Sequence, residues 1–221
     1  EINSLQKKMT ELEQMALRVQ MNPHFIFNSL NSVQHFVMNK DVEGVNRYLG
    51  TFAHLVRQTL DNSGREVISL GEEVKYLETY LALEKMKSDN RFSYAIEVAD
   101  SIDVSATFIP GMILQPFVEN SIRHGVAYRQ TNDGHIRVSI SKNGKLSCRI
   151  EDNGIGRARA GEIKKSAQGY ESKGMAITMN RIETFNKLFG TEIAVRVEDI
   201  AGSSGNVEGT KVMVDFPVDM E

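Results

Sequence analysis

Apolar residues in the first sixty positions recur at helical spacing. Ile2, Leu5, Met9, Leu12, Ala16 and Val19 alternate steps of three and four, and the register continues through Pro23, Ile26, Leu30, Val33 and Val37. This is the a/d seam of a supercoiling helix sustained over about five heptads, with a kink expected where Pro23 removes a backbone donor. A second run, Val45, Leu49, Phe52, Val56 and Leu60, is closed by the turn formers Asp61, Asn62, Ser63 and Gly64. Two amphipathic helices joined around Asn39 to Glu43 predict an antiparallel hairpin. A hairpin of this size has little core of its own, so a second copy completing a four-helix bundle is the expected way to bury both seams.

Past residue 65 the period changes. Ser69 with Glu72 reads as a capping box, and Val74, Leu77 and Leu81 predict a helix to about Lys87. Phe92 to Val98 reads as a strand and Gly111 to Gly125 as a helix. Ile136, Val138 and Ile140 alternate with polar residues, Asn143-Gly144 signals a hairpin turn, and Leu146, Cys148 and Ile150 alternate again. Gly154 to Gly174 is glycine-rich and without period, which predicts a loop, with residues 157–172 as a mobile lid. Met175 to Phe189 reads as a helix ending at Gly190, followed by strands at Ile193 to Val197 and Val212 to Phe216. The order predicts an α+β chain: a dimerising helical hairpin in residues 1–65, then an α/β sandwich in residues 66–221 whose helices cover one face of a mixed sheet.

Composition narrows the class without choosing a function. The 221 residues are 41% hydrophobic and 25% charged, with a net charge of -3, so neither a basic nucleic-acid surface nor an acidic disordered tail is indicated. Cys148 is the sole cysteine. It rules out an internal disulfide framework and a cysteine-built zinc site, and fits a buried strand position in a reducing compartment. No apolar run approaches the roughly 18 residues needed to cross a bilayer, and there is no signal peptide. The chain begins at Glu1 rather than Met, which points to a segment of a longer protein, with any membrane anchor upstream.

Three constellations carry chemistry. In Gln20-Met21-Asn22-Pro23-His24-Phe25-Ile26-Phe27-Asn28-Ser29-Leu30-Asn31, His24 falls on the outer face of the coil and Asn28, four residues on, shares it. An exposed neutral imidazole is a good nucleophile near physiological pH. A solvated histidine whose neighbouring phenylalanines widen the bundle core accounts for the same pattern. In Leu114-Gln115-Pro116-Phe117-Val118-Glu119-Asn120-Ser121-Ile122-Arg123-His124-Gly125, helical spacing puts Asn120, Arg123 and His124 on one face. An amide oxygen can ligate Mg²⁺, and Arg123 and His124 can hold phosphate oxygens. A polar stripe on a buried helix is the plainer reading. In Glu151-Asp152-Asn153-Gly154-Ile155-Gly156, an aspartate at a strand end precedes two glycines that let backbone approach a ligand closely. Its carboxylate can accept from an exocyclic amine, although a strand-to-loop turn looks the same. Lys173-Gly174-Met175 then opens a helix, a natural phosphate seat.

Taken together these stretches resemble the LytS-like sensor histidine kinases. The N-P-H-F-x-F-N-x-L-N run around His24 is specific to that group. The P-F-V-E-N-S-I-R-H-G run looks like its N box, Asp152 to Gly156 like its G1 box, and Gly209-Thr210 like its closing Gly-Thr element. The resemblance implies a Bergerat ATP-binding sandwich, shared with gyrase-type and MutL-type ATPases, from about residue 66. It implies that His24 takes the γ-phosphoryl group of ATP, with Asn28 beside it, that Asn120 ligates Mg²⁺, and that Asp152 reads the adenine amine. Gly154, Gly156 and Gly174 would shape the nucleotide loop, and Arg123, His124, Lys173 and Thr210 would touch phosphate or base. It further implies a homodimer, a response-regulator partner of LytTR type, and the cytoplasmic part of a membrane-anchored bacterial sensor.

Three departures stand out. In the G-x-G-L-x-N element the second glycine is Ala176 and the asparagine is Met179. Phe25 replaces the acidic general base that follows the histidine in many other kinases. Pro116 stands where gyrase-type relatives place a water-activating glutamate, which favours transfer to a side chain over hydrolysis. The competing readings are a Bergerat-fold ATPase switch and a catalytically inactive dimeric interaction module.

Overall fold

The alternating second half of the chain forms one mixed sheet, and the helices lie against a single face of it. The computed structural model describes residues 23–129, 131–157, 159–160, 173–202 and 207–217, with the backbone alone at residues 23–28, 30, 35, 63, 173 and 174. In chain order the elements are α1 (Pro23–Met38), α2 (Val42–Ser63), β1 (Val67–Ser69), α3 (Leu70–Lys87), β2 (Phe92–Val98), β3 (Phe108–Pro110) and α4 (Gln115–Asn120). A π-helical turn (Ser121–Gly125) and a 3-10 turn (Val126–Tyr128) continue α4. Then come β4 (Gly134–Asn143), β5 (Lys145–Asp152), α5 (Lys173–Phe189), β6 (Ala194–Ala201) and β7 (Val207–Phe216).

The sheet order is β2-β4-β5-β7-β6, with β2 parallel to β4 and every other pair antiparallel. Register aligns Val138, Ile150 and Val212 across the three central strands, and Ile140, Cys148 and Val214 one step further. All six are buried on the helix-covered face. The opposite face carries cross-strand ion pairs such as Arg137–Glu97 and Lys211–Glu198. One face apolar and one charged is the pattern of a sheet covered on one side only. The α+β class and the mixed sheet are therefore as the alternation predicted.

Local chemistry sets the element ends. The Ser69 hydroxyl accepts the Glu72 N–H at 3.2 Å and the Glu72 carboxylate accepts the Ser69 N–H at 2.8 Å, completing the capping box. The Asp41 carboxylate caps α2 by accepting the Gly44 N–H at 2.8 Å. Gly144, at φ 75°, makes the β4–β5 turn where a side chain would be strained.

Four expectations change. The helix read over Gly111 to Gly125 begins only at Gln115, because Met112 takes a left-handed φ of 54°. Pro116 then fits the first turn, where its missing N–H is not needed. Past Asn120 the helix widens into the π-helical turn. The last two strands run over Ala194–Ala201 and Val207–Phe216 rather than stopping at Val197 and starting at Val212. β1 and β3, three residues each, pair into a separate antiparallel ribbon too short to show a period. The seam of α2 needs no second copy to be covered: Val45, Leu49, Phe52 and Val56 are buried in one core with Tyr76, Leu77, Tyr80 and Leu81 of α3. α3 buries eight of its residues, Glu73 and Glu84 among them, because it lies between the hairpin and the sheet rather than at a surface. Val37, Met38 and Val42, at the turn between α1 and α2, stay exposed.

Glu73 is fully buried, and its carboxylate accepts the N–H groups of Met112 at 2.7 Å and Leu114 at 3.1 Å. Burial pushes its carboxyl up from 4.5 to about 7, against the pull of those donors and of Arg181. Between those two values the folded chain holds a proton that the unfolded chain has released. The group's contribution to stability is thus complete below about pH 4.5 and is lost as pH rises through about 7. Urea unfolding of wild type and Glu73→Gln should show the wild-type advantage shrinking across that window, by up to about 3 kcal/mol. Parallel curves for the two proteins would exclude Glu73 as the titrating group.

Candidate functional site

The apolar alternation of β5, Leu146-Cys148-Ile150, runs on into Asp152, so the strand ends by aiming a carboxylate at the core side of the sheet. Asp152 is 4% exposed. Burial pushes its carboxyl above the ordinary aspartate value, and three donors work against that: the Ser121 hydroxyl, the Gly154 N–H and the Thr210 N–H. The Gly154 N–H reaches Oδ1 at 2.9 Å. Thr210 is the register partner of Asp152 across the β5–β7 pair.

Beside this carboxylate lies a cavity of about 250 Å³. Its apolar walls include Phe117, Met175, Val197 and Val212, and its polar ones Asn120, Ser121, His124, Arg157 and Thr210. Asn120 and His124 are four residues apart and border it together, as one helical face predicts. The third residue expected on that face does not join them: Arg123 is outside the cavity and exposed, its Nη1 donating to Glu119 Oε1 at 2.9 Å. An i,i+4 pair on the outer side of the turn holds it away from the site. Arg157 grips Asp199 through Nε at 3.0 Å and Nη2 at 3.1 Å, joining the cavity rim to β6.

The backbone packs as tightly as glycine allows. A Cβ on Gly125 would sit 2.6 Å from Asp152 Oδ1, and one on Gly154 would sit 2.3 Å from the Gly125 Cα. The π-helical turn thus approaches the strand end to a distance that no side chain permits. Gly156 borders the cavity. Of the expected site residues, Asn120, His124, Asp152, Gly154, Gly156 and Thr210 are brought together here. Lys173 and Gly174 begin α5, next in sequence to the cavity-lining Met175. His24 and Asn28 lie on α1. The side chains of His24, Asn28 and Lys173, and residues 158 and 161–172 of the expected lid, are outside the described residues.

Two residues were missed in the sequence. Ser121 follows Asn120 directly and supplies a donor to Asp152; Gly125 makes the close approach. Both sit in the Asn120–Gly125 stretch, four apart, each directly after one of the pair Asn120 and His124, and that spacing is the available signal. Chemically, an apolar slot ending in a buried carboxylate acceptor suits a flat ring bearing an amine. Among the described residues no three His, Cys, Asp or Glu side chains gather to hold a metal. A cation here would take Asn120 as a protein ligand and share the oxygens of a bound anion.

A family model described as histidine kinase matches residues 12–92, and one described as histidine kinase-, DNA gyrase B-, and HSP90-like ATPase matches residues 109–220. The sensor protein LytS of Enterococcus faecalis is 27% identical over 97% of this chain and 36% of its own length. The sensor protein LytS of Staphylococcus epidermidis is 32% identical over 86% of this chain and 32% of its own length. The chain thus spans about a third of the length of these curated relatives. Among solved structures, the histidine kinase domain of the blue-light activated histidine kinase of Erythrobacter litoralis aligns over 96% of both chains at 16% identity and a TM-score of 0.43.

Ser121→Ala should raise the Asp152 carboxyl further, since one of three donors to its charged form is lost. Carbon-13 NMR titration of the aspartate carboxyls reads this directly. An unmoved Asp152 titration would mean that the Ser121 hydroxyl does not hold the carboxylate.

Proposed function

The chain belongs to the histidine kinase family, its second half being a histidine kinase-, DNA gyrase B-, and HSP90-like ATPase domain, and we propose that it phosphorylates its own His24 from ATP and passes the phosphoryl group to a response-regulator aspartate. The observation that carries this is the Asp152 carboxylate, buried at the end of the sheet's core face and open to an apolar cavity. It accepts the adenine amine, while Phe117, Met175 and Val212 enclose the ring. Asn120 and His124 border the cavity one helical turn apart and face the phosphates, with Thr210, Gly154, Gly156 and the start of α5 at Lys173 and Gly174 completing the cradle.

In this reading a ring nitrogen of His24 attacks the γ-phosphorus, the bond to the β,γ-bridging oxygen breaks, and ADP leaves. Asn120 would hold Mg²⁺, which neutralises the charge that develops on the transferring group. The protein's work is placement, because a loose phosphoryl transfer needs position and charge neutralisation more than covalent help. Residues 1–65 supply the phosphoacceptor and the dimer contact, and residues 66–221 bind the nucleotide. Because the α2 seam is covered within the chain, the dimer contact falls to the Ile2–Val19 seam and to the exposed Val37, Met38 and Val42. A LytTR-type regulator as acceptor, and a place on the cytoplasmic side of an anchored sensor, extend the reading. What supports a sensor role is that the relatives are named sensor proteins. No helix among the described residues is long and apolar enough to cross a membrane.

Three variants separate the roles. With γ-labelled ATP and Mg²⁺, His24→Gln should bind nucleotide normally and take no label. Asp152→Ala should weaken ATP and ADP alike, by roughly tenfold to a hundredfold, because an amine loses its buried acceptor. Asn120→Asp should spare metal-free ADP binding and damage transfer. Label surviving in the His24 variant, or wild-type nucleotide affinity in Asp152→Ala, would sink the corresponding assignment.

A further inference from the structure

The segment Gly111–Gln115, which ends on the first residue of α4, is held from two sides. Glu73 on α3 accepts the N–H groups of Met112 and Leu114 at 2.7 and 3.1 Å. One turn along the same helix, the Tyr76 hydroxyl donates to Gln115 Oε1 at 2.9 Å. From the other side, Arg181 on α5 donates Nη2 to the Gly111 carbonyl at 2.7 Å. Between these contacts Met112 sits at φ 54°, a conformation that a residue with a side chain adopts rarely unless its surroundings impose it.

Each grip leads elsewhere in the molecule. α5 carries Met175 into the cavity wall. α3 packs on α2, and the Thr59 hydroxyl of α2, which donates to the Leu55 carbonyl at 2.8 Å, lies 3.5 Å from the Tyr76 hydroxyl. Leu55 and Val56 share a core with Tyr76, Tyr80 and Leu114. The segment therefore touches one helix that borders the cavity, one that borders the hairpin, and the start of the helix that carries Asn120 and His124.

We propose that Gly111–Gln115 is the joint through which the nucleotide site and the histidine-bearing hairpin sense one another, and that Tyr76 and Arg181 are its positioning residues. A displacement of α5 by a bound nucleotide pulls on the Gly111 carbonyl. The left-handed turn at Met112 is the hinge that yields, and Tyr76 carries the change to α2. Neither residue touches the transferring group; each acts by fixing where α4 and the hairpin stand relative to it. Misplacement of about 1 Å between reacting groups is enough to cost a large factor in rate. Coupling of this kind needs an element that both sites can bias, and the Met112 turn, gripped from α3 on one side and α5 on the other, is placed to be that element.

The proposal rests on the kinase reading, and hydrogen exchange tests it without relying on transfer. The whole chain is examined with and without ADP and Mg²⁺. In the wild type, exchange should slow around residues 111–124 and also in α2 around residues 55–62. In Tyr76→Phe and Arg181→Ala the local protection should persist while the α2 response falls by more than half. Labelling of His24 should lose roughly tenfold in kcat with KM for ATP changed less than about twofold, and Arg181→Lys should restore most of the rate. A purely structural role would lower the urea midpoint without dividing the α2 response from the local one or kcat from KM. An α2 response equal to wild type in both variants, or none in the wild type, overturns the joint. Absence of any label in the wild type removes the kinase reading, and the exchange data still decide on the joint.

Discussion

A buried carboxylate at the end of an apolar strand face is costly unless donors surround it. Much of the local structure around residue 152 follows from that requirement. The Ser121 hydroxyl and the N–H groups of Gly154 and Thr210 supply the donors. Gly125 and Gly154 bring two stretches of backbone to within contact of the carboxylate and of each other. The helix widens past Asn120 in the stretch where Ser121 and Gly125 meet the strand end and, with Asn120 and His124, border the cavity.

The alternation of β4, β5 and β7 was legible because period-two burial leaves a mark in sequence that few other constraints erase. The capping box at Ser69 and the turn at Gly144 were legible for the same reason: each is a local hydrogen-bonding or φ requirement met by neighbouring residues. The unreadable features depend on distant partners. Nothing local in the α2 seam says whether α3 or a second copy will cover it. β1 and β3 are three residues each and exist only by pairing with one another. The break at Met112 is imposed by Glu73, some forty positions earlier in the chain. At the site, Asn120, His124, Asp152 and Thr210 could be named from their motifs. Ideal helical geometry puts Arg123 on the same face, but it lies outside the cavity lining, exposed and paired with Glu119. Ser121 and Gly125 were overlooked because a serine and a glycine carry little signal until the aspartate they serve is placed beside them.

α3 gives the molecule its continuity. A helix at a surface would keep its glutamates in water; this one buries Glu73 and Glu84 and sets tyrosines 76 and 80 into a core shared by hairpin and sheet. The hydrophobic core is therefore contiguous across the boundary that the change of sequence period suggests at residue 65. Packing of this kind transmits displacement, since close-packed interiors shift as units rather than absorbing strain locally. Function that depends on the hairpin and the cavity beside Asp152 changing position together has a physical route through this helix.

Cys148, the one sulfur nucleophile of the chain, stands at the centre of that core face between Ile140 and Val214. Burial drives its thiol far above the usual range, with the nearby Glu73 and Asp215 carboxylates adding to the effect. A thiol so placed is inert in the closed protein and reacts only when the sheet parts from its helices. Its alkylation rate is consequently a clock for sub-global opening, built in without any added label. Because the same face ends at Asp152, a ligand that fastens that edge slows the clock.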